Sequence, residues 1–380
     1  MSGGPPSICF IVESGTDTRL VEGLARRARL TVLARAIPGG RAISQPTDVD
    51  VIIGAPGRLA FALRVFREVW RRACGSVLVQ GYGVAALAAN VVARLKGVPC
   101  LMLVCSPVAE YYESRRAGGY PFSPLTLIGI NLVGRLNGLI GQGYVVLSGH
   151  LRDVVRRYSG RAPVHVVPVY GVDLQRFSPG QPRTLSRTER GLPATGQIIF
   201  SSSRIAPEKD LSTLIEAFAL LVREGRDVYL LNRSGGFREF LELAERAGIR
   251  ERVIGTDAVD PRGDLREDYL VADVCVQASR AEGLGFSVLE ALACATPVVA
   301  SAVGGLRETV RDGVTGWSVP PGDAARLAAA LRDALDRPEE ARRRAAAGSE
   351  MVRERFESNA AFDRLVELLR ADKTGVTTAR

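Results

Sequence analysis

Two carboxylates with seven residues between them bracket a glycine-punctuated turn in Glu282-Gly-Leu-Gly-Phe-Ser-Val-Leu-Glu290, and the run continues as Ala-Leu-Ala-Cys-Ala-Thr-Pro-Val-Val-Ala-Ser301. The second part reads as a helix that gives way to a buried strand. Gly283 and Gly285 allow the backbone to approach a ligand closely, and a helix opening near Phe286 would present amide N–H groups and the positive end of its dipole to an anion. Glu282 in the turn and Glu290 about one helical turn in could both reach one elongated ligand as acceptors for its hydroxyl groups. The chemistry this suits is the gripping of a sugar attached to a diphosphate.

Upstream, Arg204 follows the apolar run Gln197 to Ser201, and Lys209 lies near the start of the next helical segment, with Pro207 where a helix start tolerates it. Both cations would sit at the C-terminal edge of a parallel sheet, where open α/β domains bind ligands. A guanidinium fork and a compact ammonium there can neutralise a departing diphosphate. Lysine is otherwise confined to Lys96 and Lys373. No metal site and no other cofactor is expected, because Asp48-Val-Asp50, the one Asp-x-Asp spacing, precedes a strand and reads as a turn.

The elements that must position these groups follow from hydrophobic periodicity. Both halves alternate short apolar strands with amphipathic helices, the pattern of doubly wound parallel sheets. In the first half, strands are predicted near Ile8 to Val12, Leu30 to Leu33, Val49 to Ile53, Val77 to Val79, Cys100 to Val104, Tyr144 to Leu147 and His165 to Val167. Helices are predicted over Thr18 to Arg29, Leu59 to Arg72 and Val84 to Leu95. In the second half, strands are predicted at Gln197 to Ser201, Val228 to Leu231, Arg252 to Ile254, Val274 to Gln277 and Pro297 to Ala300. The turn-rich stretch Ser178 to Pro193 reads as the linker. This gives Rossmann-like domains over 1–183 and 184–355, with helices from Asp323 to about Ala371 and a frayed tail from Thr374 to Arg380.

The Glu282–Glu290 segment resembles the E-x7-E signature of the retaining glycosyltransferases of family 4, which have the GT-B fold. Ser-Ser-Ser-Arg204-Ile-Ala-Pro-Glu-Lys209-Asp-Leu-Ser-Thr-Leu-Ile-Glu-Ala-Phe218 is similar to that family's donor-phosphate strand and helix. Val-Val-Pro168-Val-Tyr-Gly171-Val-Asp173-Leu-Gln-Arg-Phe177, Gly304-Gly305-Leu-Arg-Glu308-Thr-Val-Arg-Asp-Gly313-Val-Thr-Gly316 and Pro320-Pro-Gly-Asp323 resemble further stretches of it. The resemblance implies two domains facing across a cleft, with a C-terminal helix over 356–380 crossing back to the N-terminal domain. It implies Arg204, Lys209 and Glu282 as catalytic groups and Gly283, Leu284, Gly285, Phe286 and Glu290 as donor-binding groups. Glu282 would contact the transferred sugar and Glu290 the ribose. Gly304 and Gly305 are expected to shape their loop rather than touch ligand.

The N-terminal half matches in pattern only. In place of the family's glycine-rich first loop it has Glu13-Ser-Gly15-Thr16-Asp-Thr, and Leu-Val-Cys105-Ser106-Pro107-Val-Ala-Glu110 lacks the histidine many members carry there. Gly15, Thr16, Ser106 and Glu110 are the candidates for the acceptor loops, and Asp17, like Glu110, is an outside candidate for orienting the acceptor. His150 and His165 are expected to be structural. Tyr170 stands where an asparagine is common and Ala295 where a glycine is. Leu231-Asn232-Arg-Ser-Gly-Gly236 replaces a glycine-acid-glycine turn.

Charge divides the chain sharply. Residues 1–183 carry 22 Lys+Arg against 10 Asp+Glu, and residues 184–380 carry 28 against 31, so the excess of basic residues lies entirely in the first half. That surplus implies a second anionic partner, a membrane surface or a phosphorylated lipid acceptor, set against a plain arginine-rich solvated surface. No nucleic-acid partner is expected. From Ala117 to Leu151 the only charge is Arg135, yet Gly and Pro interrupt the stretch too often for a spanning helix. A buried helix or dimer face is expected there, with membrane-surface contact as the alternative. Six cysteines without metal or redox spacing, and a start without signal-peptide features, predict a cytoplasmic protein, peripheral at the inner face of the membrane.

The function expected is transfer of a hexosyl unit from a nucleotide diphosphate sugar, a UDP-sugar before GDP-mannose, to an unknown glycan or lipid-linked acceptor. The alternatives are a catalytically silent nucleotide-sugar-binding partner subunit and a GT-B sugar-nucleotide epimerase.

Overall fold

A computed structural model describes residues 5–37, 49–117, 123–180, 187, 191–233, 235–256 and 265–371 of the chain. Asp48, Tyr120, most of the expected linker and the tail from Thr374 lie outside the described residues. The chain forms two compact units. The first comprises residues 1–109, 123–171 and 358–380, and the second residues 110–122 and 172–357.

The first unit is built on a parallel sheet. Its strands are β1 (Ser7–Val12), β2 (Arg29–Arg35), β3 (Asp50–Gly54), β4 (Ser76–Gln80), β5 (Cys100–Val104), β6 (Gly143–Val146) and β7 (Val164–Val166), in the order β3-β2-β1-β4-β5-β6-β7. The register of β1 on β4 sets Phe10 against Leu78. Strand β5, Cys-Leu-Met-Leu-Val, is buried along its whole length, as a strand covered by helices on both faces must be. The helices of this unit are α1 (Thr18–Ala25), α2 (Arg58–Arg71), α3 (Val84–Lys96), α5 (Pro124–Ile140) and α6 (Gly149–Arg156), while α4 (Val108–Ala117), which follows β5, belongs from Glu110 onward to the second unit. Local chemistry fixes several ends: Asp17 caps α1 by accepting from the Arg19 amide at 2.9 Å, and Ser148 caps α6 by accepting from the Leu151 amide at 3.2 Å. Helix α1 stops at Ala25, short of the predicted Arg29, because Arg29 opens β2.

The second unit has β8 (Gln197–Ser201), β9 (Val228–Arg233), β10 (Val253–Thr256), β11 (Val274–Gln277), β12 (Val298–Ser301) and β13 (Trp317–Val319), all parallel, in the order β10-β9-β8-β11-β12-β13. The order runs outward from β8 on one side and from β11 on the other, so the topological switch point lies between these two strands. Strand β13 was not among the strands predicted from the sequence. Its helices are α7 (Leu211–Arg223), α8 (Phe237–Arg246), α9 (Leu265–Val271), α10 (Phe286–Ala293), α11 (Leu306–Thr309), α12 (Ala324–Asp336) and α13 (Pro338–Arg355). Phe218, Phe240, Val276, Val299 and Leu331 are among the residues of its core.

The last helix, α14 (Ser358–Ala371), belongs to the first unit and packs on α1. The Arg27 guanidinium pairs with Asp363 at 2.5 Å and lies over the Phe362 ring at 5.5 Å from its centroid. The change of unit falls at Gly171/Val172 rather than at 183, because Val172 makes a parallel bridge to Glu357 and its amide donates to the Phe356 carbonyl at 2.6 Å.

Candidate functional site

The loops that leave β8, β11 and β12 converge at the switch point of the second sheet. After β8 the chain runs through Ser202, Ser203 and Arg204 into a single 3-10 turn, Pro207–Lys209, and α7 begins at Leu211. Lys209 therefore sits in that turn, just ahead of the helix in which the sequence placed it. Asp210 between the two has φ 47°, and its carboxylate accepts from the hydroxyls of Ser212 at 2.9 Å and Thr213 at 2.7 Å. These local bonds hold a left-handed residue that would otherwise be disfavoured.

The loop after β11 is stitched to this turn. The amides of Arg280 and Ala281 both donate to the Glu208 carbonyl, at 2.8 and 3.4 Å, and the Arg280 guanidinium pairs with Asp210 at 2.9 Å. The register thus set brings the Lys209 ammonium onto Glu282 Oε2, where it donates a short ion-paired hydrogen bond. Both side chains are largely buried. Arg204 lies on the rim: its side chain is 62% exposed and one guanidinium nitrogen donates to the buried Glu208 at 2.5 Å.

The loop after β12 closes the turn from the other side. Gly304 has φ 46°, and a Cβ there would stand 1.9 Å from the Glu282 carbonyl oxygen, so only glycine lets this backbone cross the Glu282–Leu284 turn. The Gly305 amide donates to that same carbonyl at 3.2 Å. Leu284 is buried, Gly285 caps α10 in the left-handed region, and Phe286 opens the helix as expected.

Glu290, buried in α10, accepts a hydrogen bond from the Tyr269 hydroxyl at 3.1 Å, and that hydroxyl lies 3.3 Å from Ser202 Oγ. Burial, with the Glu290 carboxylate beside it, pushes the Tyr269 phenol well above its ordinary value, so it remains a donor. The rings of Phe200 and Phe177 meet it edge-on at 5.1 and 6.1 Å. A second buried network centres on Gln277, which accepts from Ser203 and Ser287, each at 3.0 Å, and donates to Ser279 at 2.6 Å. The carboxylates, cations and turn are thus held by side chains on three different loops. Such an arrangement can present two hydroxyl acceptors, Glu282 and Glu290, beside cations able to take a diphosphate.

Residues 182–351 match the family model described as Glycosyl transferases group 1. A D-inositol 3-phosphate glycosyltransferase of Frankia alni is 34% identical over 291 residues, which cover 72% of this chain and 68% of the relative. The chain belongs to the group 1 glycosyltransferases. A D-inositol 3-phosphate glycosyltransferase of Xylanimonas cellulosilytica is 39% identical over 213 residues, 54% of this chain and 50% of the relative, so the chain spans about half the length of that curated relative. Among solved structures, Anabaena HepE in complex with UDP-glucose superposes with a TM-score of 0.78 at 18% identity, covering 96% of this chain and 99% of the other. This likeness shows the fold, GT-B.

In this group 1 glycosyltransferase chain, two of the noted departures fall on residues with positive φ. Tyr170 has φ 81° and Ala295 φ 56°. These are left-handed positions, where asparagine or glycine fits with least strain. Ala295 is the residue just beyond the cap of α10: its amide donates to Leu292 and that of Thr296 to Ala291, both at 2.9 Å, the bond pair of a Schellman ending.

Of the first-unit candidates, Gly15 and Thr16 follow β1 and Ser106 follows β5, so the parallel sheet sets all three at its C-terminal edge. Glu110, in the first turn of α4, belongs instead to the second unit. His165 lies within β7 and His150 at the start of α6. Three residues of the second-unit site were not singled out from the sequence. Tyr269, Arg280 and Gln277 lie far from Glu290, Asp210 and Ser203 in the chain, and only the fold brings them together. A usable signal was present for Gln277 alone, a polar side chain ending the otherwise apolar strand Val274-Cys-Val-Gln277.

Among the described residues, no group of three or more His, Cys, Asp or Glu side chains could hold a metal ion, and no helix is long and apolar enough to cross a membrane. Asp50 of β3 pairs with Arg72 at 2.8 Å.

Proposed function

We propose that this chain moves a hexosyl unit from a nucleotide diphosphate sugar to an anionic or lipid-linked acceptor with retention of configuration. It would act at the inner face of the membrane in envelope or exopolysaccharide assembly. A UDP-sugar is favoured as donor over GDP-mannose. The observation that carries the reading is the Lys209–Glu282 pair at the switch point, with Glu290 one helical turn beyond and Arg204 on the rim.

In this reading Glu290 binds the ribose and Glu282 the hydroxyls of the sugar, while Lys209 and Arg204 hold the diphosphate. The bond from the anomeric carbon to the diphosphate oxygen breaks as the acceptor oxygen bonds to that carbon on the same face. The acceptor's proton passes to the departing phosphate oxygen. What the protein supplies is positive charge placed in advance where the leaving group gains negative charge, so neither a protein base nor a metal ion enters the step. The UDP-glucose bound by Anabaena HepE supports a uridine donor. The name shared by the relatives from Frankia alni and Xylanimonas cellulosilytica, which act on inositol 3-phosphate, supports an anionic acceptor.

The test is to mix the purified chain with UDP- and GDP-sugars and candidate acceptors in excess EDTA. Nucleoside diphosphate release and the anomeric configuration of the product are then followed by NMR. Acceptor-dependent release with a retained anomer is expected. No release from any donor, or activity restored only by magnesium or manganese, counts against the reading.

A further inference from the structure

Helix α5 is built inside out. Its inner face is made of Gly134, Asn137 and Gly138. Asn137 donates to the Tyr82 carbonyl at 2.9 Å and accepts from Asn90 of α3 at 3.1 Å, and a Cβ on Gly138 would stand 1.8 Å from the Tyr158 carbonyl oxygen. Small and amide side chains thus do the packing. The large apolar ones, Leu125, Ile128, Leu132, Leu136 and Leu139, recur at helical spacing on the opposite face and are exposed, Leu125 and Leu139 by 76% each. In a helix stabilised only by its own core the two sets would be exchanged.

The neighbouring helices continue the pattern. Helix α3 packs between α2 and α5 and exposes Val91 and Leu95. Its C-terminal end is tied to both neighbours: Lys96 donates to the Val69 and Trp70 carbonyls at 2.9 Å, and Arg94 to the Ile140 carbonyl at 2.6 Å. The core side of α2 is Phe61, Val65 and Val69, while Leu59, Leu63 and Trp70 form a separate exposed row, Leu63 by 74% and Trp70 by 51%. Trp70 stacks on Phe66 at 6.0 Å, so the row ends in a paired aromatic anchor.

Charge selects the occupant. The three helices carry Arg58, Arg64, Arg67, Arg71, Arg94, Lys96 and Arg135 against a single carboxylate, Glu68, which lies 3.4 Å from Arg72 and 3.9 Å from Arg64. On α2 the exposed Arg67 and Arg71 flank the apolar row on the side away from the core. A second copy of the chain would bring these arginine rows against one another, whereas a bilayer with anionic headgroups meets both the arginines and the leucines. We infer that the α2–α3–α5 face of the first unit is a docking surface for an anionic phospholipid bilayer, with the leucine rows and Trp70 entering the interfacial layer. This interaction needs no donor or acceptor, so it stands or falls separately from the transfer reaction.

The test is co-sedimentation of the full chain with vesicles of phosphatidylcholine, with and without phosphatidylglycerol, at low and high salt, while tryptophan emission is followed. Of the two tryptophans, Trp317 is buried, so a vesicle-induced change reports Trp70. Binding only to phosphatidylglycerol vesicles is expected, weakened by salt, with a blue shift quenched by brominated acyl chains. Arg67→Gln and Arg71→Gln should each lower partitioning about fivefold. Leu132→Asn with Leu136→Asn, both on the exposed face, should weaken binding to phosphatidylglycerol vesicles with the melting curve unchanged. No binding at low salt, equal binding to both vesicle types, or binding that leaves Trp70 emission unmoved overturns the inference. So does a dimer in solution that Leu132→Asn with Leu136→Asn splits without any vesicle binding, since the face would then join two copies of the chain.

Discussion

The Lys209 ammonium rests on the Glu282 carboxylate, joining the turn after β8 to the turn after β11 across the switch point of the second sheet. Each residue satisfies the other in a largely buried place, so the pair joins the two loops, and in the proposed function it also supplies groups for chemistry.

Two outcomes follow from this pairing. Lys209→Ala and Glu282→Ala should each lower turnover at saturating donor by about two orders of magnitude, because each removes a group bearing on the transition state. Lys209→Ala should also cost about 3 kcal/mol of stability by leaving a buried carboxylate unpaired. Adding Glu282→Gln to Lys209→Met should recover part of that stability but none of the activity. Urea melts of the wild type, Lys209→Met, Glu282→Gln and the double variant measure the coupling, and strictly additive effects would show that the pair does not act as a unit.

Tyr269 is expected to act through Glu290. Tyr269→Phe removes the 3.1 Å hydrogen bond and leaves the ring packing intact. The donor KM should rise about five- to tenfold with kcat within about a factor of two, as expected where ground-state and transition-state binding are lost equally. An unchanged KM would mean that Glu290 needs no such restraint.

Ala295 holds a left-handed conformation at the end of α10. Replacing it with glycine relieves about 1–2 kcal/mol of backbone strain and costs about 0.5–1 kcal/mol of unfolded-state entropy. A net gain of about 0.5–1 kcal/mol is predicted. The check is a higher urea midpoint at unchanged m-value, and a lower midpoint would contradict it.

Cys74 should be the reactive cysteine. A hydrogen bond from the Cys9 thiol lowers its pKa to about 7 against the effect of partial burial, with Lys96 and Arg72 adding to the lowering. Burial pushes Cys105 and Cys294 up to about 12. The thiolate is the nucleophile, so alkylation of Cys74 should rise as pH increases through about 7 and fall off below it. A rate that climbs only near the free-thiol value of about 8.5, read by peptide mass mapping, would remove the hydrogen bond from the account.

How much of this was legible in the sequence depended on whether a signal was local. Strands such as Cys100–Val104, Gln197–Ser201 and Val274–Gln277 were readable because continuous apolar runs bounded by turn residues leave one solution in a covered parallel sheet. The turn from Glu282 to Phe286 was readable because its glycines and carboxylates are adjacent in the chain. For α5 the glycines were read only as an argument against a spanning helix; what the sequence did not show is that Gly134 and Gly138 are the packing face of a helix running from Pro124 to Ile140. Its leucines face outward, which overturns the expected buried helix but neither the dimer face nor the membrane contact. Tyr269 and Arg280 could not be found from spacing, because their partners are set by the order β8-β11-β12 and not by any repeat in the chain.

Whether the turn after β8 and the turn after β11 hold a nucleoside diphosphate decides the reading of this site. Calorimetric titration of the full chain with UDP, without divalent ions, measures this for the wild type and for Lys209→Met. The predicted result is binding by the wild type and affinity at least about tenfold weaker in Lys209→Met, about 1.4 kcal/mol, with the fold retained. Wild-type affinity in a folded Lys209→Met, or no binding of UDP or GDP by the wild type, would contradict it.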